Sequence, residues 1–320
     1  MGDRDLIVGG RDLVRPRRGG PSSLLNAFLS AKAPSTCEAY RRDLLHFASW
    51  LEVPFERLPD WIAQITPGEA NAYALDWRSS MVERSLSPAT INRRLSAVRS
   101  LVSLARATGV VVWSIEIPPL RSIPLRDTRG PETKVVRRML TLAPGDGGPR
   151  GVRNYAIMRL LLDLALRRGE VVSLDVGSLD LDTDSLQVVG KGAREAVRLT
   201  LPPQTARALE MWLEMHPSPV PHAPLFVQQH RGLDSVERIG PSAIYNLVRK
   251  LGRAASGRPA RPHGLRHAAI TQALERTNGD VRAVRAFSRH RKVETVLLYD
   301  DARRDMGGDI ARDVAAGWDG

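Results

Sequence analysis

Between Ile117 and Pro131 the chain carries prolines at 118, 119, 124 and 131. Each proline fixes φ and removes an amide donor, so neither a helix nor an interior strand can run through that density. The stretch reads as a stiff, extended linker over 116–130. It divides the 320 residues into two parts, each long enough for a core of its own.

On the N-terminal side, residues 1–20 are rich in Gly, Arg and Asp without a period and are expected to be disordered. From Pro21 to about 115 the apolar period is helical. Leu24, Leu25, Phe28 and Leu29 give one face. A second helix is predicted from Pro34-Ser35-Thr36 through Tyr40, Leu44, Phe47 and Leu51. Thr66-Pro67-Gly68-Glu69 marks a third start and Ser87-Pro88-Ala89-Thr90 a fourth, which runs to a stop at Gly109. The expectation is a small four-helix domain over 21–115.

On the C-terminal side helices are predicted at about 132–143 and 151–167. The period then shortens. Segments 175–181, 185–189 and 195–201 are rich in Val and Leu and parted by turn residues, which predicts a three-stranded antiparallel sheet. Helices resume at about 203–215, 241–255, 264–276, 280–288 and 293–301. In the tail, 303–320, Ile310, Val314 and Trp318 form a one-sided helical stripe. The fold class is therefore mainly α: a four-helix N-terminal domain, then an α+β domain at 131–302 with one small antiparallel sheet.

Composition enters through charge. The formal net charge is +12, and such a surplus attracts polyanions, nucleic acid above all. Five of the 47 basic residues are lysines (Lys32, Lys134, Lys191, Lys250, Lys292) and the rest are arginines, which suit bidentate phosphate binding. The single cysteine, Cys37, excludes an internal disulfide and a multi-cysteine zinc site. No apolar run has the length of a bilayer span or a signal peptide, so a soluble, cytoplasmic protein is expected, with no membrane partner.

Four pieces of the second domain stand out: Leu166-Arg167-Arg168-Gly169-Glu170 at a predicted helix end, Gly190-Lys191-Gly192 in a β-turn, His263-Gly264-Leu265-Arg266-His267 at a helix start, and His290 followed nine positions later by Tyr299. Each alone is ordinary: a solvated charge, a turn, surface polarity, a packed ring. Together they describe one reaction. A phenol that attacks a phosphodiester must lose a proton held near pH 10. The phosphorus centre then spreads negative charge over oxygens that arginine forks can hold. His263 and Arg266 share a helical face. Histidine moves protons near neutrality, and a lysine on a hairpin can protonate the leaving oxygen.

In order and setting, these pieces resemble the tyrosine recombinases, the lambda-integrase family. The resemblance extends over about 21–302. It includes the Pro34-Ser35-Thr36 and Ala39-Tyr40-Arg41-Arg42-Asp43-Leu44 runs and the stretch from Leu86 to Ser96, which resemble the family's core-binding domain. It implies that Arg167 is the first catalytic arginine and Glu170 the acidic brace. Lys191 becomes the hairpin general acid, His263 and Arg266 the His-x-x-Arg pair, His290 the later histidine and Tyr299 the nucleophile. The implied function is site-specific recombination of double-stranded DNA through a 3′-phosphotyrosine link, by a homotetramer on two sites, with no cofactor, metal or ATP. Candidate DNA contacts are Arg41, Arg42, Arg93, Arg94 and Arg99. The chain departs from the family at Ser288-Arg289, where Leu-Gly is usual, which makes Arg289 a further DNA-contact candidate. Two alternatives share parts of this pattern: a type IB topoisomerase-like enzyme, and a DNA-binding regulator without catalysis.

Overall fold

The computed structural model describes residues 21–121, 130–145, 147–190, 195–228, 236–301 and 306–318. The chain divides into two compact units, Met1–Leu125 and Arg126–Gly320.

In the first unit the four expected helices are α1 (Pro21–Ser30), α2 (Pro34–Trp50), α4 (Pro67–Glu83) and α5 (Pro88–Ala107). A short α3 (Leu58–Gln64) lies between the second and third. Its seven residues are too few to show a period, yet Leu58 and Ile62 are completely buried. The caps act as the sequence suggests. Thr66 Oγ1 accepts from the Glu69 amide at 3.3 Å while Glu69 Oε2 accepts from the Thr66 amide at 3.0 Å. Ser87 Oγ accepts from the Thr90 amide. The core forms around Phe47, whose ring lies 4.7 Å from Trp77 and edge-on to Trp61.

The second unit runs α6 (Thr133–Leu142), α7 (Pro149–Asp163), α8 (Arg168–Ser173), β1 (Leu179–Asp180), β2 (Ser185–Val189), β3 (Ala196–Thr200), α9 (Pro203–Glu214), α10 (Pro241–Ser256), α11 (Pro262–Arg276), α12 (Val281–Ser288), α13 (Glu294–Asp301) and α14 (Met306–Trp318). The sheet is antiparallel in the order β1-β2-β3, with Leu186 opposite Leu179 on one side and Leu199 on the other. Much of segment 175–181 is a tight turn over Val176–Ser178, closed by Asp175 and Ser178, so β1 keeps only two residues.

The core centres on α7, where Ala156, Ile157, Met158, Leu160 and Leu161 are fully buried. Against expectation, this helix stops at Asp163. Ala165 turns left-handed at φ +46°, and the Leu166 amide donates to the Leu160 carbonyl at 3.3 Å. Arg167 is consequently the N-cap of α8, at a helix start rather than a helix end. A separate cluster of Ala165, Ala269, Ile270, Leu274, Val284, Val296 and Tyr299 joins this α7–α8 turn to α11, α12 and α13. Gly130 lies hard against α11, where a Cβ would run into the Gly264 carbonyl and Ala268. Among the described residues no helix is long and apolar enough to cross a membrane.

Candidate active site

α11 begins with Pro262, whose missing amide costs nothing at a first helical position. His263 follows, and Arg266 lies one turn further along the same face. Arg266 is 2% exposed. Its guanidinium donates to the carbonyls of Ala165 and Ser288 and lies 3.2 Å from His290 Nε2. This side chain therefore ties the α7–α8 turn to the end of α12. Burial pulls its pKa down to about 10; Arg167 and Arg289 push the same way, and Glu170 and Tyr299 oppose them. It remains a cation at neutral pH, held among the described residues by carbonyls and by no carboxylate.

Glu170, almost wholly buried, is the counter-charge at the site. Its Oε1 accepts from Arg167 Nη1 at 2.7 Å, and its Oε2 accepts from the Arg167 amide at 2.8 Å and from Arg289 Nη2 at 3.2 Å. Burial pushes its pKa up, but the hydrogen bonds from Arg167 and the charges of Arg289 and Arg167 outweigh it and hold the carboxyl below its usual range. Arg167 keeps about a third of its side chain in solvent (36%), so its fork is accessible to a ligand.

Because arginine only donates, His290 Nε2 must accept from Arg266. Its proton is then on Nδ1, which faces Ser288 Oγ at 3.0 Å. Burial, then Arg266, Arg167, Arg289 and His263, bring the His290 pKa down to about 4. His263 is the ring open to solvent; its pKa is lowered first by partial desolvation and then by Arg266 and Arg167. Both imidazoles are therefore neutral at physiological pH. Tyr299, 7% exposed, has its ring centroid 4.5 Å from that of His267 and 5.8 Å from that of His290. Burial raises the phenol pKa, with Arg266 and Arg167 opposing.

The structure thus brings Arg167, Glu170, Arg266, His290, Tyr299 and Arg289 together, with His263 in electrostatic reach of two of the arginines. Lys191 lies outside the described residues. Arg289, a candidate DNA contact, is folded inward onto Glu170. In the first unit, Arg41 and Arg42 are exposed on α2. Arg93 pairs with the buried carboxylate of Asp43, Arg94 Nη1 lies 2.9 Å from His46 Nε2, and Arg99 donates to the Ile117 carbonyl. Sequence reasoning assigned no role to His267, which packs on the Tyr299 ring, or to Ser288, whose carbonyl and hydroxyl hold Arg266 and His290. The only signal for His267 was its place at the end of His-x-Leu-Arg-His. In the tail, Val314 and Trp318 are exposed and the Ile310 side chain lies outside the described positions.

Chemically, two guanidinium groups, Arg167 and Arg289, share one carboxylate, and a third, Arg266, lies on carbonyls near a phenol and two neutral imidazoles. Such a site favours an anion with several oxygens and has a phenol oxygen next to it.

Comparisons with known proteins agree. Residues 132–305 match the phage integrase family and residues 24–109 match the phage integrase N-terminal SAM-like domain. A tyrosine recombinase of Synechococcus elongatus is 39% identical over 290 residues, covering 89% of this chain and 90% of the relative. One from Synechocystis is 35% identical over 283 residues, covering 87% and 90%. The tyrosine recombinase XerC of Pseudomonas fluorescens is 30% identical over 281 residues, covering 83% and 85%. In fold, the chain is similar to the XerH site-specific recombinase bound to its palindromic difH substrate (TM-score 0.65, 17% identity, covering 93% of this chain and 85% of XerH). It is also similar to the Tn1549 transposon integrase in complex with transposon end DNA (TM-score 0.59, 17% identity, covering 90% and 98%).

Proposed function

The chain belongs to the phage integrase family of tyrosine recombinases and is a site-specific DNA recombinase; from that premise we propose that Tyr299 is the nucleophile and that Arg167 and Arg266 hold the scissile phosphate. One observation carries the assignment. Four segments far apart in sequence (the α7–α8 turn, α11, the end of α12 and α13) converge on the Tyr299 ring and bring the cations and the neutral histidines with them.

The non-bridging oxygens of a DNA phosphate dock on the exposed fork of Arg167 and on Arg266. The Tyr299 oxygen attacks phosphorus, and its proton passes to the neutral His263. The bond from phosphorus to the 5′ oxygen breaks, and Lys191, by resemblance, supplies the proton that this oxygen takes. One phosphorus–oxygen bond forms as another breaks, so the link to Tyr299 stores the energy for rejoining without ATP or a metal ion. The raised pKa of the buried phenol is the reason an acceptor histidine is needed. Ser288 and Arg289 are built into the site rather than blocking it, which supports the enzyme over a non-catalytic regulator.

In the first unit, Arg41 and Arg42 contact DNA phosphates, while Arg93 and Arg94 are presented by Asp43. The exposed Val314 and Trp318 of α14 dock on a neighbouring protomer of a homotetramer. Deleting 306–320 is expected to weaken cooperative assembly on DNA and leave single-site binding intact; unchanged cooperativity would break this assignment.

The decisive experiment uses duplexes enriched by the protein from a random-sequence pool, rebuilt as nicked suicide substrates. The wild type is expected to form a covalent adduct that survives denaturation, and Tyr299→Phe none. The Tyr299 hydroxyl makes no hydrogen bond among the described residues, so Tyr299→Phe is expected to fold normally. An adduct with Tyr299→Phe, or none with the wild type on a duplex it binds, overturns the assignment.

A further inference from the structure

Residue 289 has φ +57° and ψ +37°, the left-handed conformation that closes α12. Any side chain there costs about 1 kcal/mol relative to glycine, and arginine is the largest of the flexible ones. Only 14% of that side chain is exposed. Nη1 donates to the carbonyls of Leu164 at 3.0 Å and Phe287 at 3.2 Å, and Nη2 to the Ala165 carbonyl at 3.4 Å and Glu170 Oε2 at 3.2 Å. Every one of these acceptors belongs to the frame of the active site.

The pattern repeats that of Arg266. Both guanidinium groups span from the α7–α8 turn, through the Ala165 carbonyl, to the end of α12, through the Ser288 or Phe287 carbonyl. They are two rungs between the same pieces of backbone. Arg289 also divides the carboxylate, taking part of Oε2 while Oε1 stays with Arg167. Without Arg289, the buried Glu170 would face Arg167 alone and neutralise it more completely, and one rung of the frame would be lost.

We infer that Arg289 is a positioning residue for strand cleavage: through Glu170 and the α7–α8 turn it fixes the reach of Arg167 and Arg266 and leaves their charge available to the phosphate, without touching DNA itself. The inference rests on the recombinase reading of Tyr299, Arg167 and Arg266.

The test compares wild type, Arg289→Gly, Arg289→Lys, Glu170→Gln and the Arg289→Gly/Glu170→Gln double variant. Each is assayed on the selected duplex, uncut for affinity and nicked for single-turnover adduct formation, with melting temperature alongside. Glycine suits the left-handed backbone and offsets part of the four lost hydrogen bonds, so Arg289→Gly is expected to melt only slightly lower than the wild type. Its affinity should stay within about 2-fold while adduct formation slows roughly 10- to 100-fold, the scale of a displacement near 1 Å in an active site. Arg289→Lys keeps the charge but cannot reach four acceptors, and should recover only part of the rate. Because Arg289 acts in part through Glu170, the double variant should lose less than the two single losses combined.

An unchanged adduct rate in Arg289→Gly, or additive losses in the double variant, overturns the inference. So does lost affinity with a shallower salt dependence, since Arg289 would then be a phosphate contact. Should Arg289→Gly melt early, Arg289→Lys carries the test, and an unslowed rate there overturns the inference. An adduct from the wild type with no change in the variants defeats this inference alone. No adduct from the wild type on a duplex it binds defeats the recombinase reading, and this inference with it.

Discussion

In the N-terminal unit, Asp43 is buried among arginines beside a histidine; in the C-terminal unit, Glu170 is. Asp43 receives Arg93 directly and Arg94 at 3.9 Å, and Arg94 lies against His46. Glu170 receives Arg167 and Arg289, while Arg266 lies against His290. Burial lowers the pKa of both histidines, with a neighbouring arginine adding to it. The two differ in what the carboxylate leaves over. Both arginines near Asp43 answer to it, and both reach the surface of their unit. Among the described residues Arg266 bonds to carbonyls and a neutral imidazole, whose partial charges orient a cation without cancelling it. A buried carboxylate is thus a fixture that holds arginines in place. Chemistry on phosphate needs, in addition, a cation that the fixture leaves uncompensated, with a nucleophile beside it.

The sharpest way to break this contrast is Arg266→Ala. Adduct formation is expected to fall by about 1000-fold, the scale of losing one pre-positioned charge-stabilising donor. The Ser288 carbonyl would lose Arg266, and the Ala165 carbonyl would keep only its longer bond from Arg289, at a cost of about 1–3 kcal/mol in denaturant unfolding. A variant that cleaves within about 10-fold of wild type would show that Arg266 is only a strut. A smaller effect is expected from Asp43→Asn. It should weaken duplex binding by about 10-fold and stability by about 1–3 kcal/mol, while the cleavage rate at saturating DNA stays at the wild-type value. If the cleavage rate falls and binding holds, the two carboxylates do not divide the work in this way.

The smallest effect concerns pH. A histidine whose pKa is depressed to about 4 stays neutral until the medium is nearly that acidic. The acid limb of kcat/KM for cleavage is therefore expected to lie below pH 6.5, set by the lowered pKa of His263, with His290 titrating only near pH 4. The sign for stability agrees. The unfolded chain protonates His290 near pH 6.5 while the native state resists, so this residue draws the equilibrium toward unfolding between about pH 6.5 and 4. An acid limb centred at or above pH 6.5 would show that burial and the arginines do not keep these histidines neutral.

Legibility followed the range of the forces. The starts of α4 and α5 were readable because Thr66 and Ser87 bond to amides three residues on. The motif pieces were readable because the reaction restricts residue types more tightly than packing does. The end of α7 was not readable: its last turn and Leu164–Leu166 are buried nearly all round, so the apolar pattern has no face to lose. The short α3 was hidden for want of a second turn to set a period.

Arg289 shows most clearly where reading the sequence stops. As a letter it was a surplus charge where glycine is usual, and outward contact with DNA was the natural expectation. Three of its four acceptors lie 119 to 125 residues earlier in the chain. The sequence by itself determined a mainly helical fold with a small antiparallel sheet and the motif pieces that carry the resemblance to the tyrosine recombinases. Each of these is written in neighbours a few residues apart or in residue types the chemistry cannot replace. Only the tertiary structure decided that Arg167 caps α8, that Arg266 lies on the Ala165 and Ser288 carbonyls, and that Arg289 turns inward. The burial and electrostatics at those positions come from segments that only folding brings together.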